Sequence, residues 1–347
     1  MLWVNAGVAC LMGEYGWLMA RHMGMMRRLA QAQSQLRCAR PQTGAELSAM
    51  SRGVRRGLLC QPYRGMYVQL ECWNALDPLE RTRYVVRTLA LMHPDWIFCG
   101  PTAAIMYRLD CSYRFAMPVC ITVPGQHGGV SSSKLKRYAI ADPEPRVWNG
   151  IRLTSLRRTL VDCAIRLPLR YALSPVESAV RNGWIDRDAL RLFVAGMSYL
   201  RGRGQALRVI EMAEGLSENG GEAECKVVLD RLGFPVDGQQ VEFPCLSMPN
   251  RRHRVDYYWR RDDGSVVVGE LDGLDKYVDP SMTGGRGIRS VVDDERDRQE
   301  CLARQKADTV RMYYSDLSRQ DRLLSRLERN RVPRRGVRPY KLSQNML

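Results

Sequence analysis

Two short runs near the C-terminal end constrain the fold most. His253-Arg254-Val255-Asp256-Tyr257-Tyr258-Trp259 and Ser265-Val266-Val267-Val268-Gly269-Glu270-Leu271-Asp272 flank the pentapeptide Arg260-Arg261-Asp262-Asp263-Gly264. β-branched and aromatic residues on either side of a turn closing on Asp-Gly predict an antiparallel hairpin. A turn centred near 262–263 pairs positions whose numbers sum to about 526, which sets Asp256 opposite Glu270. Glu270 and Asp272 then share one face, because strand side chains alternate. Like charges directly opposite each other destabilise a hairpin unless something compensates. A divalent cation is the simplest compensation. Carboxylate oxygens completed by water and phosphate suit Mg²⁺, or Mn²⁺ in its place. Asp256 and Glu270 are therefore the candidate metal ligands, and a cation there would generate a hydroxide and stabilise a phosphoryl transition state.

The flanking residues fit a sheet dressed with helices. Residues 222–232 read as a helix with Cys225, Val228, Leu229 and Leu232 as its apolar stripe, Glu222 at the stripe's edge and Gly233 as the stop. A short strand follows at Val241–Phe243. Gly273 permits a sharp turn after Asp272 and brings Lys276 within reach of the strand end. Lys276 there can stabilise developing phosphate charge or orient an attacking water. A helix over about 289–305 puts Glu295 and Arg298 on one stripe with Val291 and Leu302, as an i, i+3 ion pair or as accessory groups of the site. Thr309–Tyr314 reads as the next strand, and Ser315-Asp316-Leu317 opens a last helix.

The net charge of +16 is concentrated rather than spread. Residues 27–64 carry eight Arg against Glu46 alone, and residues 322–341 carry seven Arg and Lys341 against Glu328 alone, so each block nets +7. A basic block at each end of a near-neutral middle points to a nucleic acid as a partner. Within the first block, residues 25–37 read as a helix. Thr43 caps a helix over 44–49, Ser51 caps a second over 52–57, and Leu58–Cys60 with Met66–Gln69 form a tight hairpin. Helix, helix and two-stranded wing is the order of a winged helix-turn-helix, whose second helix enters the major groove. Arg52, Arg55, Arg56 and Arg64 are the candidate DNA contacts, reaching phosphates more than bases.

The 11 Cys are scattered with no Cys-x-x-Cys pair, and His22, His93, His127 and His253 stand apart. That pattern argues against a zinc finger or ribbon and fits thiols acting as small core hydrophobes in a reducing cytoplasm. His127 and His253 read as ordinary surface or loop histidines. Residues 1–26 are apolar, but no cation precedes the apolar run and Glu14 interrupts it, so they do not read as a signal peptide. Met12, Met19, Met23, Met25 and Met26 offer internal starts, and this stretch is expected to be an extension outside the fold. No uncharged run reaches the roughly 18 apolar residues of a membrane helix, so no membrane partner is expected.

Several of these residues also carry a resemblance. Gly221-Glu222, Gly233-Phe234-Pro235, Gln240, Arg254-Val255-Asp256, Glu270-Leu271-Asp272-Gly273, Lys276-Tyr277 and Glu295-Arg296-x-Arg298 resemble the Vsr-like branch of the PD-(D/E)XK nuclease superfamily, over residues 217–329. The resemblance implies Asp256 and Glu270 as metal carboxylates, Glu222 as the helix acid completing the site, and Asp272 and Lys276 as accessory groups. Asp272 stands where the broad pattern has Lys. Upstream, Arg64-Gly65-Met66-Tyr67-Val68, Ile97–Ala104 and Leu153–Asp162 resemble the AbiEi-type antitoxin proteins. Those are cytoplasmic regulators of type IV toxin–antitoxin pairs with an N-terminal winged helix, which implies a cognate toxin as a partner.

The expected architecture is an α+β and α/β multidomain chain. It comprises the extension 1–26, a winged-helix-like region 27–70 and a mixed α/β middle 71–215. A restriction-endonuclease-like α/β sheet over 217–329 and a basic tail 330–347 follow. Two functions fit: a metal-dependent DNA endonuclease, or a non-catalytic DNA-binding regulator that keeps a nuclease fold for binding.

Overall fold

The computed structural model describes residues 23–124, 130–198, 200–246, 248, 250–272 and 298–336. Of the expected extension, only residues 23–26 are described, and they are the first residues of a helix. The chain is mixed α/β and divides into two compact units. One holds the described residues up to Arg108 with Tyr113–Arg158; the other holds Leu109–Ser112 and those from Thr159 on. No helix among the described residues is long and apolar enough to cross a membrane.

The first unit opens with α1 (Met23–Ser34) and α2 (Gly44–Arg55). Thr43 caps α2 as its sequence suggests, its hydroxyl accepting from Glu46 N–H at 3.1 Å. The expected pair of short helices is one helix, with Ser51 inside it. No breaker separates 49 from 52, and Ala49, Met50 and Gly53 form one continuous buried stripe. A Cβ at Gly53 would come within 2.8 Å of the Leu59 side chain, so a glycine lets the helix approach the next strand. β1 (Leu59–Cys60) and β2 (Val68–Gln69) then pair antiparallel. Met25, Leu29, Met50, Leu59 and Tyr67 share one core. α3 (Leu70–Ala75), α4 (Pro78–Met92) and α5 (Gly100–Met106) follow, with β3 (Val119–Val123) parallel to β4 (Leu135–Ala139) and β5 (Pro145–Trp148) antiparallel to β6 (Ile151–Thr154).

Besides Leu109–Ser112, the second unit takes up the chain within α6 (Leu156–Arg166) and continues through α7 (Leu169–Arg181), α8 (Arg187–Gly196), α9 (Arg203–Met212) and α10 (Gly220–Arg231). A four-stranded sheet follows, in the order β10-β9-β8-β7. β7 (Gly238–Pro244), β8 (Arg252–Arg260) and β9 (Val266–Asp272) form an antiparallel meander, and β10 (Ala307–Tyr313) lies parallel to β9. Residues 298–304 are helical, a short turn spans Tyr314–Ser318, and α11 (Gln320–Arg329) ends the unit. One sheet face packs Tyr257, Trp259, Val267 and Met312 against Cys225 and Leu229 of α10 and Leu323 and Leu327 of α11. The other packs Val255, Val268 and Ala307 with Leu302.

The β8–β9 ladder pairs Arg260 with Val266, Trp259 with Val267, Tyr258 with Val268 and Tyr257 with Gly269. Every pair has the sum expected from the turn. The ladder stops at Tyr257–Gly269, one position short of Asp256 and Glu270. Val255 belongs to one face and Tyr257 to the other, although residues two apart in a strand share a face. Side-chain alternation therefore resets at Asp256. On β7 the matching position is Gln240, held at φ +53° between the pairs Gln239–Tyr257 and Val241–Val255.

Candidate active site

The reset places Asp256 at the point where the sheet opens. Its carboxylate accepts the Leu271 N–H at 2.8 Å. Glu270 pairs with the Arg298 guanidinium, and Arg298 also donates to the Arg254 carbonyl at 2.6 Å. Each acid thus has its own donor, and the expected opposition of Asp256 and Glu270 falls just beyond the last pair of the ladder. Asp272 faces Arg311 of β10 at 3.8 Å. Arg298 acts across to the sheet; Glu295 and Lys276 lie outside the described residues.

Glu222 stands in the first turn of α10, and Tyr257, fully buried, donates its hydroxyl to the Glu222 carbonyl at 2.9 Å. That bond ties the helix to β8 one residue from Asp256. The Glu222 carboxylate is buried and accepts from Glu218 N–H at 2.7 Å, Asn219 Nδ2 at 2.6 Å and Gln240 Nε2 at 3.0 Å. Asn219 returns a cap bond to Glu222 N–H at 3.0 Å. Glu218 itself pairs with Arg254. Burial raises the Glu222 carboxyl to about 7; the Glu218 N–H opposes the rise and the charge on Asp256 adds to it.

A carboxyl ordinarily at 4.5 and raised to about 7 by folding binds its proton more tightly in the folded state. Between those values stability falls as pH rises, and above about 7 the loss is complete, at up to about 3 kcal/mol. Glu222→Gln is expected to flatten that slope. Urea unfolding of both proteins at about pH 5 and about pH 8 checks it; an identical pH dependence in the two would refute the assignment.

The donor set of Asp256 and Glu270 suits Mg²⁺, which takes one or two carboxylates and keeps several waters. Asp256, Glu270 and Glu222 do not gather as three acids with ligand atoms within 4.8 Å of one another. Among the described residues the group that does is Cys245, His253 and Cys301, all buried. His253, expected as a surface or loop histidine, is instead buried within β8, because it lies on the alternating inward positions of that strand. Cys301 lies far downstream, and only the β7–β8 pairing and residues 298–304 bring the three together.

In the first unit Arg52, Arg55 and the C-cap Arg56 are exposed at the C-terminal end of α2, and Arg64 is exposed between β1 and β2. The second basic block is partly committed within its own unit. Arg326 faces Asp316 at 3.5 Å, Arg334 faces Glu328 at 3.6 Å, and Arg335 pairs with Asp237. The tail beyond residue 336 lies outside the described residues.

No known family profile matches the chain. It is similar to two uncharacterized proteins of Mycobacterium tuberculosis strains, Rv2248 and MT2308, each 23% identical over 185 residues, 53% of this chain and 65% of the relative. The chain thus spans less than two thirds of the length of the curated relatives it matches.

Proposed function

We propose that this protein binds DNA and cleaves its phosphodiester bonds with a divalent cation held by Asp256 and Glu270. One observation carries the reading. Asp256 stands where the β8–β9 ladder ends, with Glu222 and Gln240 beside it and Glu270 next along β9. Mg²⁺ or Mn²⁺ held there would supply a hydroxide nucleophile and charge stabilisation. Glu222, raised toward neutrality, is suited to hold or pass a proton near that centre. Gln240 and Asn219 orient its carboxylate. Arg298 must release Glu270 before that carboxylate can take a cation. Asp272 and Lys276 act as accessory groups, and the winged-helix-like α2 with the β1–β2 turn delivers DNA.

The ion pairs Glu270–Arg298 and Asp272–Arg311 favour a second reading, because they already neutralise two of the acids. In that reading the sheet only binds, and the protein is a regulator working with a cognate toxin. Plasmid nicking in Mg²⁺ or Mn²⁺, wild type beside Glu270→Ala, separates the two. Cleavage lost in the variant supports the endonuclease, whereas equal cutting, or none by either protein, defeats it.

DNA binding has its own measure. The combined Arg52→Ala, Arg55→Ala, Arg56→Ala and Arg64→Ala variant is expected to lower the slope of log affinity against log salt by about 3–4, near 0.9 per phosphate contact. Wild-type binding that ignores salt would contradict phosphate contact by these residues.

A further inference from the structure

The Cys245, His253 and Cys301 cluster takes no part in the proposed cleavage and stands independently of it. Cys245 follows the last residue of β7, His253 is the second residue of β8, and Cys301 lies in the helical residues 298–304. All three are buried, and one ligand atom from each lies within 4.8 Å of the other two. Two sulfurs and a nitrogen are a borderline-soft donor set suited to zinc. Tetrahedral zinc with bonds of about 2.3 Å to sulfur and 2.0–2.1 Å to nitrogen needs ligand separations of about 3.5–3.8 Å. Separations of up to 4.8 Å need to close by at most about 1.3 Å to reach that geometry.

The surroundings favour ligation. The Leu246 N–H donates to Cys301 Sγ at 3.0 Å, which already ties the segment after β7 to residues 298–304 at the sulfur itself. Gln305 Nε2 donates to the Pro244 carbonyl at 2.9 Å and braces the same two segments. Cys245 and Cys301 are not joined by a disulfide. Among the described residues, the apolar cluster beside the three ligands joins the sheet to the same helical residues: Val255, Val268 and Ala307 pack with Leu302, the neighbour of Cys301.

We propose that Cys245, His253 and Cys301 bind one zinc ion, with water in the fourth position, and that this ion clamps the helix carrying Arg298 to the edge of the sheet. Binding displaces the two thiol protons to solvent and leaves the imidazole neutral. Arg298 lies three residues, about one helical turn, before Cys301. The clamp therefore also sets where Arg298 meets Glu270.

The test uses the full chain purified under reducing conditions without chelator. Metal analysis is expected to find about one zinc per chain, and Cys301→Ser and Cys245→Ser to lose it. Cys60→Ser, outside the cluster, is expected to keep it. Replacing zinc by Co²⁺ in the wild type should give a thiolate-to-cobalt charge-transfer band and intense tetrahedral ligand-field bands, a readout that needs no variant to fold. Wild type that takes up neither zinc nor cobalt overturns the proposal. So does cobalt bound without the thiolate band. None of these outcomes depends on whether DNA is cut.

Discussion

Asp256→Ala is expected to lower plasmid nicking in Mg²⁺ by at least about 10²–10³-fold, the range seen when one preorganised electrostatic group is removed from a reaction centre. A second variant belongs beside it, because Asp256 also supports the backbone through its carboxylate, which accepts the Leu271 N–H. Alanine removes the charge and leaves that amide without its acceptor. Asparagine removes the charge but keeps a carbonyl oxygen in the same place. If Asp256 is a metal carboxylate, both variants lose cleavage, and Asp256→Asn keeps its stability within about 1 kcal/mol of wild type. If its role is only to hold Leu271, asparagine cuts as well as wild type. Nicking rates and urea unfolding of the same two preparations distinguish these outcomes. Asparagine retaining full activity would end the endonuclease reading at this residue.

The second large effect is on stability. Glu177 of α7 is buried, and its carboxylate accepts three backbone N–H groups: Glu214 at 2.9 Å, Leu216 at 2.9 Å and Ser217 at 3.0 Å. The chain is wrapped around this one side chain. Gly215 allows the wrap at φ +72°, where a Cβ would sit 3.1 Å from the Arg181 nitrogen. Four residues after Gly215 the same segment caps α10 at Asn219 and delivers Glu222. Glu177→Ala leaves three amide donors without their acceptor, each lost charged bond being worth about 1.5–3 kcal/mol before any water enters. With partial relaxation, a net loss of about 3–5 kcal/mol is expected in urea unfolding. Glu177→Gln, which retains one carbonyl acceptor, should fall between. A loss below about 1 kcal/mol for alanine would mean that the wrap is held by something else.

These two residues also mark how far the sequence could be read. The β8–β9 register was legible because hairpin pairing is local. Turn position fixes register, and the observed pairs from Tyr257–Gly269 to Arg260–Val266 follow from it. The Thr43 cap was legible for the same reason. The fate of Asp256 and Glu270 was not. Where the ladder ends, what each acid meets is decided by groups far along the chain, Arg298 among them. Ser51 misled because a cap residue looks the same inside a helix as at its start; the buried stripe of Ala49, Met50 and Gly53 overrides it. Glu177 carries no local signal, since its partners lie 37 to 40 residues downstream. Cys245, His253 and Cys301 are separated by unequal stretches, and no fixed metal spacing announces them.

The end of the β8–β9 ladder has a consequence for observation. The Leu271 amide is held by a side-chain carboxylate instead of a strand carbonyl. Its exchange with deuterium therefore depends on where the Asp256 carboxylate points, whereas the amides of the paired residues depend on opening of the sheet. A cation or phosphate that draws the carboxylate away would speed exchange at Leu271 while leaving Val267 and Val268 protected. One backbone proton thus reports occupancy of the site without cleavage of any DNA.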